Sequence, residues 1–254
     1  MIPALIALFG MIFGGNVDYF YLQGFDKGIN KYIESKETKK ELNGFIKDYE
    51  KAVKEFNKKH KKHLHLFMQK DVNKSTSEEW YRNFLKESMD LRKKRQETAI
   101  TFRLNVQPKI SDDEWKNILD YSEKKTAKIL EKQQKKEKKQ GDKQIDDKLI
   151  ETSKKYISDD ERNKEVKKAY NAFKLSSEDL IKTYENMQAL GDDIMTDKSA
   201  SRSDMQDFAD SLNDKRRKMY DSFLEFFGEL QKISTEEEWQ AIMKDFNKAV
   251  ASIK

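Results

Sequence analysis

The sequence predicts an all-α fold: an elongated helical bundle or coiled-coil-like body, with a short N-terminal membrane helix and an internal duplication. Three observations lead there. Charged residues make up 38% of the 254-residue chain and hydrophobic ones only 36%, a balance that suits long solvated helices with a narrow apolar seam. Nine Gly and two Pro are too few to punctuate a protein of many strands. Yet 15 Phe, 10 Tyr and 3 Trp are far too many for a disordered chain of this charge. The same balance excludes a polytopic membrane protein. It disfavours an α/β enzyme, whose parallel strands are continuous apolar runs joined by glycine-rich turns.

The net charge of +5 is the remainder of 51 basic and 46 acidic residues. Lys supplies 43 of the cations and Arg 8, whereas a sequence-specific nucleic-acid reader leans on Arg forks. The chain has no Cys, which removes disulfides, thiolate catalysis and zinc–cysteine sites.

Residues 2–15, IPALIALFGMIFGG, carry no charged side chain. A cleaved signal peptide needs small residues at −3 and −1. Cleavage after Gly14 would leave Ile12 at −3, and cleavage after Gly15 would leave Phe13 there. A membrane anchor fits better. Fourteen helical residues span about 21 Å, short of the roughly 30 Å hydrocarbon core, so the expected helix continues through Asp18 to Leu22. Tyr19 and Tyr21 would then lie at headgroup level. Gly10, Gly14 and Gly15 form a small-residue face against which another helix could pack. The lysines after this segment (Lys27, Lys31, Lys36, Lys39 and Lys40) lean toward a cytoplasmic body by the positive-inside rule.

From Gly28 onward the apolar residues step by three and four through Leu42, Phe45, Ile46, Tyr49, Val53 and Phe56. That spacing predicts an amphipathic helix, with no breaker between Asn30 and Gln69, about 60 Å long. Three later segments share one grammar: Ser75–Trp80, Ser111–Trp115 and Ser234–Trp239. Each offers a hydroxyl cap, acids in the first turn and a Glu three residues on, the pattern of a capping box. Trp80, Trp115 and Trp239 are therefore expected to anchor short helices onto longer neighbours.

The last two copies extend backward. The tetrads Arg92-Lys93-Lys94-Arg95 and Lys215-Arg216-Arg217-Lys218 precede them, with 19 residues both from Arg92 to Ser111 and from Lys215 to Ser234. Each tetrad is read as a basic patch opening a helix that Pro108 or the next cap ends. The resulting division is an anchor (1–24), a first helical repeat (25–123), a Lys-rich linker (124–148) and a second repeat (149–254). The linker holds 9 Lys and 3 acids between Lys124 and Lys143 and reads as a solvated helix extension. Its functional reading is a strip for anionic lipid or nucleic acid.

Catalytic and metal-binding patterns are sparse. His60, His63 and His65 fall in one hexapeptide among lysines, which reads as a basic surface patch responsive to mild acid. Asp192, Asp193, Asp197, Asp204 and Asp207 lack the alternating ligands and fixed Gly of an EF-hand, and Ser203 and Asp204 suit helix caps. No phosphate loop, dinucleotide fingerprint, nucleophile elbow or H-E-x-x-H occurs. No cofactor and no enzymatic activity are expected.

Ile110-Ser111-Asp112-Asp113-Glu114 and Ile233-Ser234-Thr235-Glu236-Glu237, each reached from an Arg-bearing helix, resemble the LTxxQ motif of Spy- and CpxP-like periplasmic stress proteins. The resemblance spans about 60 of the 254 residues, and family members are usually smaller with a cleaved signal. It implies an all-helical envelope protein that binds partners without ATP, and it favours a periplasmic body. Together these readings predict a non-enzymatic, membrane-anchored scaffold, adaptor or chaperone-like subunit of a bacterial envelope complex. Its expected partners are proteins, the membrane through residues 1–22, and a second copy of the chain as a homo-oligomer. Binding of nucleic acid or anionic surfaces through the tetrads is the alternative.

Overall fold

The computed structural model describes residues 20–140, 155–189 and 193–251, and these are all-helical. In chain order they form α1 (Phe25–Tyr32), α2 (Lys36–Lys70), α3 (Glu78–Val106), a 3-10 turn (Gln107–Lys109) and α4 (Asp112–Gln140). Then follow α5 (Asp160–Ala189), α6 (Asp193–Thr196), α7 (Arg202–Ile233) and α8 (Glu236–Ala251).

Side-chain caps set the starts. The Ser35, Ser77 and Ser201 hydroxyls accept from the backbone N–H three residues on, and Asp204 returns the bond to complete a box. Ser111 with Glu114, and Thr235 with Glu238, make the same reciprocal pair ahead of α4 and α8. Pro108 sits in the turn that ends α3.

Several sequence expectations change here. The single long helix from residue 30 breaks at Ile33, which is extended and buried, and restarts at the Ser35 cap. Ser75 does not cap α3; its N–H and hydroxyl bond to Asn73 Oδ1 in a local turn, and Ser77 is the cap. Trp80 therefore lies three residues after its cap, whereas Trp115 and Trp239 lie four after theirs. In the last copy the cap is Thr235 rather than Ser234. Neither tetrad opens a helix: both lie in the middle, of α3 and of α7.

The expected continuation of the anchor helix to Leu22 is not found. Phe20, Tyr21 and Leu22 are not helical and belong to the body. Phe20 is buried against Phe208, and Tyr21 stacks on Tyr49 at 4.8 Å instead of lying at a headgroup layer. Gly10, Gly14 and Gly15 lie outside the described residues. Among the described residues no helix is long and apolar enough to cross a membrane.

The halves correspond at a constant spacing of 124 residues. Ser77 and Ser201 cap α3 and α7; Ser35 and Asp159 cap α2 and α5. Leu42, Ile46 and Tyr49 of α2 match Val166, Tyr170 and Phe173 of α5, all buried. Phe102 matches Phe226, and Trp115 matches Trp239. Even Lys31 over the Tyr32 ring recurs as Lys155 over Tyr156.

Two apolar clusters form, and each mixes residues of both halves. One gathers Phe67, Tyr81 and Phe84 with Phe173, Phe223, Phe227 and Trp239. The other gathers Phe25, Ile29, Tyr49, Phe102 and Trp115 with Ala200 and Met205. Between them α3 and α7 meet through a polar belt. Gln96 and Asn213 exchange amide hydrogen bonds there (3.2 and 2.9 Å), beside buried Arg92, Arg95 and Arg216. Elsewhere α5 and α7 approach closely enough for the Ser176 and Ser222 hydroxyls to bond at 2.8 Å.

Trp115 and Trp239 are 4% and 0% exposed, while Trp80 is half-buried on Phe84. Truncating Trp115 or Trp239 to Ala is expected to cost about 3–5 kcal/mol in urea unfolding. Trp80→Ala should cost less, about 1–2 kcal/mol. Equal losses at all three positions would contradict this ordering.

Candidate functional site

Of the groups that sequence reading singled out, Trp115, Trp239, Ser75 and Asp197 meet at two equivalent joints. Each joint is the loop preceding a central helix, residues 71–77 before α3 and 197–201 before α7. In one, Asn73 Oδ1 accepts from the N–H and hydroxyl of Ser75; in the other, Asp197 Oδ1 accepts from those of Ser199. The opposite half completes each loop. Trp239 Nε1 donates to Asp71 O at 2.9 Å, and Trp115 Nε1 donates to Thr196 O at 2.8 Å. Gln231 Nε2 donates to Thr76 O at 2.9 Å, and its counterpart Gln107 donates to Ala200 O, the counterpart of Thr76, at 3.1 Å.

The joints differ in charge. Asp71 is 0% exposed, and no Lys or Arg among the described residues pairs with it. Its Oδ1 accepts from Asn247 Nδ2 at 3.0 Å, while Asp71 Oδ2 and Asn247 Oδ1 have no hydrogen-bond partner among the described residues. A proton on Asp71 would give that pair a donor for the orphaned Asn247 oxygen. Burial pushes the carboxyl up to about 7, against the opposing hydrogen bond from Asn247.

At the other joint the buried group is a cation. Arg103, 1% exposed, lies over the Trp115 ring at 4.0 Å, where the first joint has Phe227 edge-on to Trp239. It donates to Gln107 Oε1 and, at 3.0 Å, to Asp197 O. Burial pulls its pKa down to about 9, partly offset by the Asp197 charge, so it stays charged at neutral pH.

The tetrads split between interior and surface. Arg92, Arg95 and Arg216 are buried; Arg95 bonds Asn57 and lies over Phe56. Lys215 pairs with Asp179 at 2.8 Å and Arg217 with Asp214 at 3.3 Å. Lys93, Lys94 and Lys218 are exposed. Five of the eight tetrad residues are therefore core or already paired.

The histidines do not form a common surface patch. His63 stacks on Phe84 at 3.9 Å, with Nε2 near Phe84 O (3.1 Å) and Ser88 Oγ (2.8 Å). Burial lowers its pKa, which favours the neutral ring. His60 stacks on Phe56, and His65 contacts Gln69. In the acidic loop, Asp197 and Asp204 serve as turn and cap residues, and Asp192 lies outside the described residues. Among the described residues no group of three His, Asp or Glu is placed to hold a metal ion. Compared with protein-family models, curated proteins and solved structures, the chain matches none.

Sequence reading missed Asp71, Arg103, Gln107 and Gln231. The shared 124-residue spacing of the two Gln was the available signal.

The Asp71 carboxyl binds a proton in the folded state at pH values where the unfolded chain has released it. Stability should therefore rise as pH falls from about 7 toward 4 and reach its lower plateau above 7. Asp71→Asn supplies a permanent amide donor for Asn247. At about pH 8 it should raise unfolding free energy by roughly 2–4 kcal/mol, with the gain vanishing near pH 4. Urea unfolding across that range checks this; a gain that does not change with pH would contradict the assignment.

Proposed function

We propose that the chain is a duplicated, non-enzymatic helical scaffold or adaptor, tethered to a membrane of the bacterial envelope by its apolar N-terminus and holding protein partners through its body. The observation that carries this reading is the seating of Phe20 and Tyr21 in the second apolar cluster. Only residues 16–19 separate that seat from the uncharged run 2–15, a reach of at most about 18 Å from Phe20 to Gly15. Whatever holds residues 2–15 therefore holds the whole body close by.

The use of the interior polar groups supports the non-enzymatic part. The indoles of Trp115 and Trp239, the amides of Gln107 and Gln231, and Arg103 bind backbone carbonyls of the opposite half, so these groups serve the packing of the body. The resemblance to Spy- and CpxP-like proteins agrees with partner binding without ATP and with a periplasmic body.

Fractionation tests the tether. The full chain should sediment with membranes and stay there in high salt, and deleting residues 2–15 should release it. A soluble full chain, unchanged by that deletion, would overturn the proposal.

A further inference from the structure

The seat of Phe20 and Tyr21 and the Lys-bearing helix α4 lie far apart in sequence, yet helix α1 brings them together. Gly24, with φ of +77°, turns the chain into α1, and a Cβ there would stand 3.4 Å from the Tyr121 ring of α4. Gly28 packs still closer, its missing Cβ only 3.1 Å from Ile118. Tyr32 meets Tyr121 edge-on. This packing leaves a cleft of about 520 Å³ beside the seat of Tyr21, lined by Tyr21, Gln23 and Gly24 on one side and Lys125 and Lys128 on the other.

Lys27 joins the two α4 lysines in that lining, with Asp26 and Glu50 as the acids. None of the three lysines is within ion-pair distance of a carboxylate among the described residues. Lys125 instead lies over the Tyr121 ring at 5.5 Å. Lys125 and Lys128, three residues apart on α4, fall on one face of that helix.

We propose that this cleft, through Lys27, Lys125 and Lys128, seats anionic phospholipid headgroups beside the seat of Tyr21, from which the sequence leads back to the apolar run 2–15. The inference rests on the membrane reading above and deepens it. Fourteen apolar residues fall short of a full hydrocarbon span, so a second membrane signal adds the hold that the first lacks. Lysines near an anionic surface supply it, each raising affinity several-fold, and the effect fades with salt. Nucleic acid would meet the same charges, but the adjoining apolar segment favours a lipid surface.

The test uses the full chain and two sedimentable vesicles, pure phosphatidylcholine and a mixture with phosphatidylglycerol. Binding to phosphatidylcholine reads the apolar tether alone. Phosphatidylglycerol should tighten binding about tenfold or more in low salt. Lys125→Glu with Lys128→Glu should abolish that gain and leave phosphatidylcholine binding unchanged. The same charge change at exposed Lys54 and Lys58 of α2 should keep most of it. Equal binding to both vesicles by the unaltered chain would overturn the proposal, even with the tether intact. So would a gain that survives the α4 variant, or a DNA duplex bound through Lys125 and Lys128 in preference to the anionic vesicles. A chain that ignores phosphatidylcholine but gains through Lys125 and Lys128 on phosphatidylglycerol would sink the tether and uphold the cleft.

Discussion

The structure depends on donors from one half reaching carbonyls in the other. A loop that leads into a helix start has backbone oxygens outside the helical ladder, and where packing from another element shields them from water they need partners. An indole suits this position because it has one N–H donor, no acceptor, and a large apolar body that fills the space around the bond. Trp115 and Trp239 do this for Thr196 O and Asp71 O, with Gln107 and Gln231 beside them. The donor always comes from the opposite half. Neither loop is complete within its own half, which is why each apolar cluster contains residues of both.

Helix content, the Pro108 stop and the box at Ser111 were legible in the sequence, since local spacing and capping chemistry decide them. Helix α7, by contrast, is capped by Ser201, with Asp204 as its partner, and not by the expected Ser203 or Asp204. The second Trp box was harder, because Ser234-Thr235-Glu236-Glu237-Glu238 contains two overlapping hydroxyl–Glu pairs. Thr235 with Glu238 prevails, setting Trp239 four residues after its cap, as Trp115 is after Ser111. The break at Ile33 carries no Gly or Pro, so periodicity runs straight through it. The buried arginines were misread through composition. Ser88, Arg92, Arg95, Ala99, Phe102 and Val106 step by four and three along the buried face of α3, and that spacing was the signal. Asp71 left no local trace, since its burial arises only when α8 packs against the end of α2.

The halves share a backbone plan and differ in what they bury. Met195 stands 124 residues after Asp71, and Phe227 the same distance after Arg103. At each joint one half keeps an apolar group where the other carries a charge. The Trp–carbonyl bond tolerates this because its acceptor is main chain and does not depend on the side chain. The cost falls on ionisation instead: the acid is pushed up, the guanidinium pulled down. Opposite charges at separate joints cannot compensate each other by contact. Each is managed locally, by Asn247 at one joint and by Trp115 with Gln107 at the other.

The belt between the clusters completes the argument. An aromatic seam along two long helices gains similar burial in neighbouring registers, so apolar contact alone specifies the α3–α7 alignment weakly. The Gln96–Asn213 amide pair forms in one register, and a shift by one turn would leave two buried amides without partners. Arg95 on Asn57 extends the same constraint to α2. With the register fixed at the middle, the Trp joints at both ends fall into place together. The N-terminal seat of Tyr21 on Tyr49 then inherits its position from a hydrogen-bonded pair remote from it in sequence.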